Sequence, residues 1–80
     1  MNVEKLQYKG MLAEAKKKYR TLDTEASGLI ILIRTLLNPY TEVLTLDIEK
    51  ILVSINRLHS IILEMSSLKE KINNLESEIE

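Results

Sequence analysis

The chain has no cysteine, no tryptophan and no phenylalanine, and only one proline, two glycines and three tyrosines in 80 residues. Without cysteine there is no disulfide framework and no thiolate chemistry. Without Phe or Trp, a core has to be filled by aliphatic side chains, which suits the regular layers between packed helices. The shortage of Gly and Pro leaves few places for a turn. Charge of one sign is also missing: the net charge is -1, which gives no general attraction to nucleic acid or to acidic membranes. The longest apolar run, Leu29 to Ile33, stops at Arg34 after five residues, whereas a membrane helix needs about 20. The first 20 residues are polar and lysine-rich, unlike a secretory leader. These absences read as one cytoplasmic domain spanning residues 1–80, with no membrane segment.

What is present is a helix-forming composition, 45% hydrophobic and 29% charged, too apolar for a disordered chain. Apolar residues recur at Tyr8, Leu12, Ala15, Tyr19, Leu22, Ala26, Leu29, Ile33 and Leu36. The alternating steps of four and three are the seam of a packed helix. A second row runs through Leu44, Ile48, Ile51, Ile55, Leu58, Ile62, Met65, Leu68 and Ile72. Folding the chain back at residue 40 opposes Leu36 with Leu44, Leu29 with Ile51, Leu22 with Leu58 and Tyr8 with Ile72. The fold class is therefore all-α, an antiparallel hairpin of two long helices, each about 50 Å long at 1.5 Å per residue.

The first helix spans about residues 3–37, the turn about 38–42 and the second helix about 43–77. Asn38-Pro39 ends the first helix, because proline pushes the preceding residue out of the α region. Asn38, Thr41 and Thr45 are all candidate caps for the second helix. An alternative three-helix arrangement breaks near Thr21-Thr24, where polar side chains can start a new helix. Against it, the apolar phase runs through Leu22 and Ala26 without a slip. Charge favours the fold-back: residues 1–20 carry six positive and two negative charges, residues 61–80 two positive and five negative.

A two-helix hairpin covers one stripe per helix and offers no third layer. Near the turn this chain is apolar well beyond a stripe. Ile30, Ile31, Leu37, Leu52, Val53, Ile61 and Leu63 form the expected oligomer interface, with Leu32 among the flanking residues. A homodimer of hairpins, closing into a four-helix bundle, buries such a surface most simply. An apparent step of three from Leu58 to Ile61 suggests that the second helix changes the face it turns inward.

Residue types that carry chemistry are sparse. His59 has no Cys, Asp or Glu at i+3 or i+4 and reads as a residue at the bundle edge rather than a metal ligand. Asp47 with Glu49, and Asp23 with Glu25, are two apart and diverge on a helix. Ser66-Ser67 reads as solvated surface. No phosphate loop, metal cluster or nucleophile–base pattern is present, so no catalytic, cofactor-binding or metal site is expected. Lys16, Lys17, Lys18 and Arg20 form the one basic cluster and the candidate nucleic-acid contact. They spread around the helix, however, and Tyr19 among them belongs to the seam, opposite Ile62.

The sequence reads as a small non-catalytic interaction or adaptor module acting as a homo-oligomer, with another helical protein as a further partner. The alternative is a small nucleic-acid-associated regulator or phage-type accessory protein using Lys16 to Arg20. In architecture alone the chain resembles helical hairpins found among phage accessory proteins, secretion chaperones and regulatory adaptors, and fold does not imply function.

Overall fold

The structure, a computed structural model, describes residues 3–79. Helix α1 runs from Val3 to Leu36 and helix α2 from Ile48 to Ile79. They pack against each other as an antiparallel all-α hairpin, with no strand among the described residues. The molecule is a rod of 65 × 15 × 14 Å, longer than the 50 Å arms because the connection projects past the helix ends. No helix is long and apolar enough to cross a membrane.

α1 is unbroken through Thr21-Thr24, so the three-helix alternative is not adopted. The reason is local. The Thr21 hydroxyl donates to the Lys17 carbonyl at 3.1 Å and that of Thr24 to the Arg20 carbonyl at 3.1 Å. Both side chains fold back onto their own helix instead of capping a new one.

The helix ends at Asn38-Pro39, after a last bond from the Leu37 N–H to the Ile33 carbonyl. The Asn38 side-chain oxygen then accepts from the Tyr40 N–H at 2.9 Å, a turn that mimics the backbone. A single 3₁₀ turn follows at Val43–Thr45. The cap of α2 is Asp47, whose Oδ1 accepts from the Lys50 N–H at 3.1 Å. Thr45 is not the cap because it lies inside the 3₁₀ turn, two residues before the cap position, where its hydroxyl donates to the Glu42 carbonyl at 2.7 Å. Half-buried Leu46 and buried Ile51 occupy the two positions that staple the start of a helix. The connection is thus residues 37–47, not 38–42, and α2 begins at Ile48 rather than near residue 43. Leu44 stands 99% exposed in this connection and does not oppose Leu36.

In α1 every seam residue from Tyr8 to Leu36 is buried or half-buried, with Leu32 added beside them. α2 departs from its expected row. Its inward residues are Ile51, Ser54, Leu58, Ile61, Met65, Leu68, Ile72 and Leu75, in unbroken steps of three and four. There is no slip at Leu58–Ile61. Ser54 and Ile61 hold the places expected for Ile55 and Ile62, which are left exposed. Ile61, expected at the oligomer interface, is fully buried at 0% exposure. It packs with Leu22 and Ala26, surrounded by Leu29, Leu58, Met65 and Leu68. Ala26, the small residue of this cluster, leaves room for the Ile61 side chain beside Leu22.

Candidate functional site

The hairpin has two long edges where the helices meet, and they differ in chemistry. Along one edge the Lys18 ammonium lies 3.0 Å from the Glu64 carboxylate. The Arg57 guanidinium donates to both oxygens of Glu25, at 2.7 and 2.9 Å. Lys18 and Glu25 are seven apart on α1, and Arg57 and Glu64 seven apart on α2, so each pair of rows repeats on the same side of its helix. Hydrogen bonding from Arg57 holds the Glu25 carboxyl below its ordinary pKa and raises that of Arg57 itself.

The opposite edge is marked by Tyr19, Ile62, Met65 and Lys69, which line a shallow groove of about 540 Å³. The Lys69 ammonium sits 5.8 Å from the Tyr19 ring centroid, within cation–π range. Toward the turn this edge becomes apolar. On α2, Ile48, Leu52, Ile55, His59 and Ile62 succeed one another in steps of four and three, forming a second stripe beside the buried seam. On α1, Ile30 lies eleven residues, or about three turns, after Tyr19 and so on the same side, and Leu37 follows seven later. Ile30, Leu37, Ile48, Leu52, Ile55 and Ile62 are all 41–54% exposed. They form one face, extending along the turn-proximal half of the rod.

The expected interface residues divide accordingly. Ile30, Leu37 and Leu52 share this face. Ile31 points away on the outer side of α1, Val53 lies toward the ion-paired edge, one turn before Arg57, and Leu63 lies on the outer side of α2. All three are exposed. Ile61 belongs to the core. Ile48, Ile55 and Ile62 complete the face, having been assigned by sequence to the seam. The signal was present, because α2 carries two interleaved rows with the same steps, and Ile55 and Ile62 are each next to a residue that the buried row requires.

The basic cluster is not one surface. Lys18 pairs with Glu64, Tyr19 is half-buried, and Lys16, Lys17 and Arg20 are exposed in different directions around α1. Tyr19 lines one groove with Ile62, as the seam reading expects, but is half-buried there rather than buried, with the Lys69 ammonium over its ring. Asp47 is engaged in capping and Glu25 in the Arg57 pair, and His59 is exposed within the apolar stripe. Among the described residues no group of three or more His, Cys, Asp or Glu could hold a metal ion. No protein-family model, curated protein or solved structure matches the chain.

Proposed function

We propose that this chain is a small non-catalytic helical interaction module of the cytoplasm that works as a homodimer of hairpins, a four-helix bundle over part of its length. The observation that carries this reading is the face of six half-exposed Leu and Ile side chains beside an opposite edge closed by ion pairs. Exposed apolar patches of that extent mark interaction sites on soluble proteins.

The magnitudes favour association. Complete burial of a Leu or Ile contributes about 1.5–3 kcal/mol, and half remains to be gained for each of the six. Twelve such side chains in a dimer supply on the order of 10 kcal/mol, comparable with the roughly 4–15 kcal/mol that association costs. The hairpin alone has a thin core, with Ala15, Leu22, Ala26, Ile51, Ile61, Ile72 and Leu75 as its buried apolar residues, and chains of this size often rely on association for stability.

Thermal unfolding at several chain concentrations tests the reading. A dimer that unfolds to monomers melts at higher temperature as concentration rises. A melting temperature independent of concentration over about a hundredfold range contradicts it.

A further inference from the structure

We infer that the turn-proximal half of α2 has a second rotational setting against α1, a minor state in which Ile55 and Ile62 replace Ser54 and Ile61 in the seam. The inference concerns the single hairpin and does not depend on a second copy. Its starting point is a mismatch inside α2. Ser54 is buried at 5% exposure, while its neighbour Ile55 is left 41% exposed. A polar side chain occupies the seam and a large aliphatic one faces water, the reverse of what burial favours.

Two seams overlap in this half of the helix. The inward row is Ile51, Ser54, Leu58, Ile61 and Met65. A second row, Ile48, Ile51, Ile55, Leu58, Ile62 and Met65, also advances in steps of three and four and shares Ile51, Leu58 and Met65 with it. The centres of the two rows lie about 50° apart at about 100° per residue, half the step between neighbours. Turning this half of α2 by that angle exchanges Ser54 for Ile55 and Ile61 for Ile62, and keeps the shared residues inside. The turned seam is apolar at every position, and one isoleucine takes the place of another beside Leu22 and Ala26.

Two features hold the observed setting. Beyond Met65 the second row continues to Lys69 and Glu76, whereas the inward row continues to Leu68 and Leu75. The far half of α2 therefore has one way to face α1. In the turning half, Arg57 holds both oxygens of Glu25 on the edge opposite Ile55 and Ile62. Turning those two inward carries Arg57 away from Glu25, so the ion pair acts as a latch. The connection offers little resistance, because Tyr40, Val43 and Leu44 are largely exposed. The twist between the halves falls at Met65, an unbranched side chain that packs at either angle.

Methyl relaxation dispersion, which detects microsecond-to-millisecond exchange, tests this on the Leu52→Glu chain, whose site belongs to neither row and whose charge opposes association. The expected result is exchange at Ile51, Ile55, Ile61 and Ile62, flat profiles at Ile72 and Leu75, and amplitudes unchanged by dilution. Adding Arg57→Gln should raise the minor population roughly two- to fivefold, as for the loss of an exposed ion pair. Adding Ile55→Lys, which puts a charge into the second row at a site exposed in the observed setting, should abolish the exchange. Flat profiles at residues 51–62 even with Arg57→Gln overturn the inference. So does exchange that reaches Ile72 and Leu75 equally, which is opening of the whole hairpin, that scales with concentration, which is association, or that survives Ile55→Lys.

Discussion

Arg57 and Glu25, 32 residues apart in sequence, are joined across the hairpin by two parallel hydrogen bonds from guanidinium to carboxylate. This bidentate geometry fixes both the register of the helices and the side on which they are ion-paired. Both groups are in contact with water, so their worth is mainly positional. The Glu25 carboxyl should titrate below the ordinary glutamate range, chiefly because Arg57 hydrogen-bonds its ionised form. The sign follows: the pair's stabilisation is present above the unfolded glutamate pKa and lost as pH falls through the lowered folded value. Carboxyl chemical shifts followed by NMR should show Glu25 moving back toward the usual range in Arg57→Gln.

Ile61 and Leu63 separate core from surface. Ile61→Ala empties a fully enclosed site between Leu22 and Ala26 and should cost about 2–5 kcal/mol. Leu63→Ala, on the outer side of α2, should stay within about 0.5 kcal/mol. Urea denaturation at one fixed chain concentration compares them.

Asp47→Ala removes the side-chain acceptor at the start of α2 and should destabilise by about 0.5–2 kcal/mol. The effect should be concentrated in the first turn, so hydrogen exchange at Lys50 and Ile51 should accelerate more than exchange at Leu68.

Gly28 lies inside α1 and a Cβ added there meets nothing within 4 Å. Gly28→Ala should therefore stabilise the chain by about 1 kcal/mol, through better helix propensity and a less flexible unfolded state. A thermal melt that fails to rise would show that the position is constrained by something outside the hairpin.

The legible and illegible parts of the fold divide along physical lines. The seam of α1 could be read because its flanks are polar over most of its length, so only one row of apolar residues was available. α2 carries two rows, and hydrophobicity alone preferred Ile55 to Ser54 and did not separate Ile62 from Ile61. The turn was misplaced because Asn38-Pro39 is a strong stop for one helix but says nothing of where the next begins. Asp47, with Leu46 before it and Ile51 four beyond, was the start signal. The surplus of apolar surface near the turn was visible as composition. Its confinement to one face was not, because that depends on which row of α2 turns inward.

We propose that a second copy covers the apolar face at the turn end. Light scattering coupled to size exclusion at micromolar concentration tests it most directly. A mass twice the 9.2 kDa of the chain, falling toward the single-chain value on dilution or in Ile55→Glu, is the expected result. A folded species of one chain mass at every concentration would contradict it.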